Sequence, residues 1–172
     1  MHFSKIATML ALVATSLAAP TTQPQKRADV LTFQTYNNFQ ISDGTAGNAL
    51  AEVNKAFPVD ISNPASVSAN DLAILIAARQ TSENAEATFN TAVAAASGSA
   101  ATALQIGKIK NKVLKLRTFE MLVTVQIAQG ATDKAAQLAD IQTKLAANVK
   151  TDQASKGKAS QSVSFTNDVQ PK

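Results

Sequence analysis

The chain has 172 residues, with 16 Lys and Arg against 12 Asp and Glu, 45% hydrophobic residues, one His and no Cys. That His is His2, so the rest of the sequence has neither imidazole nor thiol. Ser-His-Asp and Cys-His catalysis, zinc sites built on His or Cys, and the Glu-x-x-His arrangement of di-iron bundles are thereby excluded from the body of the protein.

The N-terminus reads as a targeting segment. Met1 to Lys5 carries one Lys, the apolar run IATMLALV follows, and the small-residue stretch ATSLAA closes it, the order of a secretory signal peptide. Ser16 and Ala18 stand where a signal peptidase reads, which places the cut after Ala18. The apolar run is well short of the roughly 20 residues that cross a bilayer, and no later segment compensates, so a released protein without a transmembrane anchor is expected. Residues 19–27 end in Lys26 and Arg27, and this stretch resembles a short pro-segment closed by a kexin-type dibasic site. Cleavage there would start the mature chain at Ala28.

Removing residues 1–27 takes away Lys5, Lys26 and Arg27 and leaves 13 cations against 12 anions. A charge of +1 gives no footprint for nucleic acid, which needs a concentrated basic face. Eight Asp and four Glu remain, but their spacing supports neither a carboxylate metal site nor a paired-carboxylate glycosidase. No cofactor is implied. A single domain of this length buries enough apolar surface to hold without disulfides.

Abundant Ala, sparse Gly and Pro, and long stretches of helical period predict an all-α protein. Residues 28–41, with Val30, Phe33, Tyr36, Phe39 and Ile41, fit either a short helix or an extended strap over the bundle. The first helix is expected to open near Ser42-Asp43-Gly44 and stop at Pro58, on the stripe Ala46, Leu50, Val53 and Phe57. Ser68 and Asp71 have capping-box spacing before a second helix to about Ala96, with Leu72, Leu75, Ala78, Ser82, Ala85, Phe89, Val93 and Ala96 inward. Ser97-Gly98-Ser99 breaks it.

The third helix is expected from Ala101 to Gln129. Its stripe of Ile106, Ile109, Val113, Leu116, Val123 and Ile127 is interrupted by Glu120. Residues 119–127, FEMLVTVQI, also alternate as a strand would, but no Gly or Pro separates them from the periodic segment before, which favours helix. Being apolar on several faces, this helix should be the most buried. Gly130 suits a C′ position, and Thr132 is expected to cap a last helix from Asp133 to about Ala154, on Leu138, Ile141, Leu145 and Val149. The sum is a four-helix or irregular antiparallel bundle over residues 28–155, followed by a flexible tail over 156–172 in which Val163 and Phe165 are the residues able to dock.

Three stretches are candidates for function. ISDGTAGNAL, residues 41–50, looks like a glycine loop feeding a helix N-terminus, where backbone N–H groups can hold an anion, although it lacks a P-loop ending; a capped helix start is the simpler reading. KIKNKVLKLR, residues 108–117, holds five of the thirteen mature cations, with Lys108, Lys112 and Lys115 on one helical face. Those three are the candidate contacts with an anionic wall polymer, membrane surface or acidic partner, against the simpler reading of a solvated face. Glu120 in the core stripe suggests an interhelical ion pair or a rim position rather than a catalytic carboxylate, which would need a second one opposite it.

With those residues in place, FQISDGTAGNALAEV (39–53) and GKIKNKVLKL (107–116) resemble a family of small secreted proteins of filamentous fungi, some of them candidate effectors. The resemblance covers most of the mature chain and brings no catalytic residue with it. It implies a fungal, extracellular, host-facing protein and little more. The leader, the loss of His and Cys from the mature chain and the absence of paired acid-base residues lead to the expectation of a non-enzymatic protein acting by binding at the fungal wall or at a host extracellular protein, with an enzyme using a carboxylate-based site as the third reading. A similarity of composition alone to fungal hydrophobic-surface-binding proteins gives the alternative, a wall-coating or surface-adsorbing role.

Overall fold

A computed structural model of the protein describes residues 28–172. The expectations for Ala18, Lys26 and Arg27 fall outside the described residues. The protein is an all-α bundle, as its periodicity predicts. Its helices are α1 (Tyr36–Phe39), α2 (Ala49–Ala56), α3 (Ala69–Ala95), α4 (Gly98–Ala128) and α5 (Ala135–Ala154), with a 3-10 turn at Pro64–Ser66. Two short strands, β1 (Gly44–Thr45) and β2 (Ala159–Ser160), pair antiparallel, with Gly44 opposite Ser160 and Thr45 opposite Ala159.

α4 is the axis of the bundle, packed against α3, α5, α2 and β2. The reason is visible in its sequence: Val113, Leu114 and Leu116, then Met121, Leu122 and Val123, are buried in runs that wrap around the helix rather than along one stripe. A helix apolar on all sides must be enclosed. The same pattern settles residues 119–127, which are helical throughout. α3 turns Leu75, Ala78, Ser82, Ala85 and Phe89 toward it, all buried.

The boundaries show where tertiary contacts override local signals. Ser68 Oγ accepts from Asp71 N at 3.0 Å, which starts α3 as expected. α4 ends in a Schellman motif, with Gly130 N donating to Ile127 O and Ala131 N to Gln126 O, both at 3.0 Å, and Gly130 at φ +104°. The expected Thr132 cap is not made: α5 begins two residues later, at Ala135 after Lys134, with no side-chain cap hydrogen bond. The helix expected from residue 42 is likewise shorter. Gly44 and Thr45 are paired with β2, Ala46 N donates to Lys158 O at 3.0 Å, and α2 starts only at Ala49.

The tail after residue 155, expected to be flexible, is docked on the bundle. Gln161 N donates to Ala103 O at 3.0 Å, Ser162 N to Asp43 Oδ1 at 2.8 Å and Val169 N to Thr81 Oγ1 at 2.9 Å. Val163 is buried, and the Phe165 ring meets Tyr36 edge to face at 5.7 Å. Gly107 makes this possible, because a Cβ there would overlap the carbonyl oxygen of Gln161.

Candidate functional site

Residues 28–41 resolve into both forms left open by the sequence, an extended strap and then the single turn α1. Asp71 fixes the strap. Having given its N–H to Ser68, it turns its carboxylate outward from α3 to accept from Leu31 N at 2.8 Å and from Val30 N at 3.1 and 3.2 Å. The capping-box spacing hid this role, since the carboxylate binds the strap instead of returning to Ser68. At the other end Tyr36 N donates to Asp168 Oδ1 at 2.5 Å. Between those anchors, Thr32, Phe33 and Gln34 make no backbone hydrogen bond among the described residues.

Under the strap lies a half-open cavity of about 250 Å³, between the C-terminal end of α2 and the start of α3. Leu31, Phe39, Phe57, Ile74 and Ala78 are its buried walls. Edge-to-face contacts hold two of them: Phe39 lies 5.6 Å from Phe57 and 5.6 Å from Tyr36. Val30 stands at the mouth, 58% exposed. Lys55, in the last turn of α2, is the one charged residue lining the cavity, and it is in no ion pair among the described residues. No motif marked this site in the sequence; the alternating apolar residues of the strap were its only trace.

The glycine loop does lead to a helix N-terminus, and the chain supplies the anion itself. Asp152 of α5, 2% exposed, accepts from Ala49 N at 3.0 Å through Oδ2. Its Oδ1 is buried with no hydrogen-bond partner among the described residues. A carboxylate at this position offsets the positive end of α2, which leaves little attraction for a further anion.

The basic stretch on α4 divides. Lys108 and Lys112 are half-buried and in no ion pair among the described residues, while Lys115 pairs with Glu86 at 2.5 Å. Lys110, which the sequence reading counted only as part of the run, is fully buried. Its Nζ meets Glu52 at 2.8 Å, Asp43 O at 2.9 Å and Thr45 O at 3.2 Å. It ties α4 to the loop before α2.

Glu120 sits on the rim. It pairs with Arg117 at 2.6 Å within α4 and accepts from Gln142 of α5 at 3.1 Å. The ion pair is therefore intrahelical, and the contact between helices is made by an amide. Arg117 also donates through Nε to Asn54 at 2.8 Å, and Arg79 lies over the Phe119 ring at 4.6 Å. These partnerships account for Glu120 and both arginines by packing.

Among the described residues, no group of three or more His, Cys, Asp or Glu could hold a metal ion, and no helix is long and apolar enough to cross a membrane. Residues 31–164 match the family described as a domain of unknown function (DUF8454), and the chain belongs to that family. The match begins inside the strap, at Leu31, and ends within the docked tail. No curated protein and no solved structure matches the chain.

Proposed function

We propose that this DUF8454 member is a secreted protein that acts by binding, without catalysis, at a fungal wall or host surface. The observation that supports this reading most directly is the cavity under the strap: walls that are part apolar and part polar, an open mouth and one uncommitted cation suit it to a small amphiphilic molecule. Secretion rests on the leader read from residues 1–27 and on the resemblance to small secreted fungal proteins. The half-buried row of Lys108 and Lys112 adds a surface for acidic polymers.

The test has two parts. Protein recovered from culture medium should begin at Ala28 by intact-mass analysis, and changing Lys26 and Arg27 together to Ala should leave a longer product. The purified protein should then be retained by wall fractions or by host extracellular proteins. Turnover of a wall polysaccharide or peptide by the purified protein would overturn the reading. For the alternative role as a surface coat, Val30 is the one exposed large hydrophobic residue among those described. That offers adsorption of the folded form little apolar area.

A further inference from the structure

We infer that the cavity under the strap takes the alkyl chain of a single-tailed amphiphile whose anionic head pairs with Lys55. The inference rests on the binding reading above and gives it a ligand class. Three observations carry it.

The first is the division of chemistry within the cavity. Leu31, Phe39, Phe57 and Ile74 form one side of the lining and the polar Thr32 and Gln34 of the strap another, and among the described residues the one charge in the lining is Lys55. A chain entering from the mouth would bury both its own apolar surface and that of Val30, which otherwise stays 58% exposed. Burial of that kind contributes roughly 25 cal/mol per Å².

The second is the sign of the rim. Lys55 has no acidic partner among the described residues. The carboxylate beneath the strap, Asp71, has both oxygens engaged by Val30 and Leu31 N–H groups. A carboxylate, sulfate or phosphate head would find an unspent ammonium there, and a cationic head would meet repulsion. The hydroxyl of Thr32 and the amide of Gln34 line the same cavity and can donate to such a head.

The third is access. The strap is pinned at Leu31 by Asp71 and at Tyr36 by Asp168, and Thr32, Phe33 and Gln34 between them make no backbone hydrogen bond among the described residues. Such a segment can move outward to admit a chain without breaking a ladder.

The test titrates the purified protein with decanoate, decanol and decyltrimethylammonium below their micelle-forming concentrations, by calorimetry. Decanoate should bind saturably at one equivalent, with decyltrimethylammonium weaker by at least about tenfold, the size of a charge-assisted hydrogen bond. Lys55→Gln should weaken decanoate about tenfold and leave decanol unchanged. Val30→Asp, also on an exposed side chain, should weaken decanoate more than decanol. Equal binding of all three probes, no saturable binding of decanoate, or decanoate binding indifferent to Lys55→Gln would each overturn the inference. Retention by wall and host fractions is measured in parallel. If it persists while decanoate fails, the ligand class falls and the binding reading stands; if decanoate binds and retention fails, the reverse holds.

Discussion

The phenol of Tyr36 donates to Asn111 Oδ1 at 2.9 Å, and Asn111 in turn donates to Ser82 O at 2.8 Å, so that α1, α4 and α3 are joined by one buried polar chain. All three residues are fully buried. Burial pushes the Tyr36 pKa up to about 12, with the charge of Asp43 adding to the effect and the hydroxyls of Ser42 and Ser162 opposing it.

A titration follows from this. Tyr36 is the one tyrosine and there is no Trp, so phenolate absorbance reports a single site. The folded protein should ionise near pH 12 and the denatured chain near pH 10. The native state keeps its proton where the unfolded chain loses it. The stability contribution is therefore complete below pH 10 and declines as pH rises toward 12, by about 2 to 3 kcal/mol for a shift of about two units. Tyr36→Phe should remove that decline from the denaturant midpoint measured across the same range; an unchanged slope would mean that other groups cause it.

Lys110 should matter more than any other cation in its run. Removing it leaves Glu52 and two carbonyl oxygens without their partner. Lys110→Ala should cost about 2 to 3 kcal/mol, below the usual range for a fully buried pair because Glu52 is partly exposed. Lys108→Gln should cost less than about 0.5 kcal/mol. Chemical denaturation of the two variants distinguishes a structural lysine from a surface one.

Gly107→Ala tests the docking of the tail. The added methyl has no room while Gln161 O stays in place, so either the tail lifts or α4 shifts, at about 1 to 3 kcal/mol. Hydrogen exchange should then rise at Gln161 and Ser162 before it rises in α3. Wild-type protection at both residues in the variant would show that the close approach is not needed.

Asp152 caps α2 from another helix. Asp152→Ala should destabilise by about 1 to 2 kcal/mol, and Asp152→Asn by less, since Asn serves almost as well at a helix start. Thermal unfolding of both variants measures the difference, and equal loss in the two would point to charge rather than hydrogen bonding.

The lysine row gives a functional prediction. Lys108, Lys112 and Lys115 changed together to Gln should abolish salt-sensitive retention on anionic surfaces, because exposed charges are screened beyond about 8 Å at physiological ionic strength. The unfolding midpoint should move little, with the Lys115–Glu86 pair the main loss. If retention is unaffected, the row is a solvated helix face.

What could be read in advance followed the range of the forces involved. α3 and α4 were legible because their apolar residues repeat at helical spacing over 27 and 31 residues, and no distant contact was needed to recognise them. The tail was not, since its polar, Ser-rich composition says nothing of a groove opened by Gly107 on another element. Lys110 was hidden by its neighbours: four other cations made a surface face the natural reading, and only the position of Glu52 and the loop carbonyls reveals why this one is buried. Asp71 was assigned to its local cap, and its bonds to Val30 and Leu31 span 41 and 40 residues. The strap cavity combines both difficulties, because its walls come from three separate parts of the chain.

The bond from Tyr36 to Asp168 spans 132 positions, and this has a consequence for the order of biogenesis. α3 and α4 can form a hairpin as soon as both have left the ribosome, with only Ala96 and Ser97 between them. Part of what holds α1 and β1 has no such option: Asp168, Ser162 and β2 lie far downstream of Tyr36, Asp43 and β1. Those contacts form only after β2 and Asp168 have been made, whereas the cavity walls, all between residues 30 and 78, and the Asp71 anchor of the strap are available earlier. Contacts of such long range are also slow to form. An emerging chain should pass through a stage in which the helical hairpin is folded while Tyr36 still lacks Asp168 and Phe165.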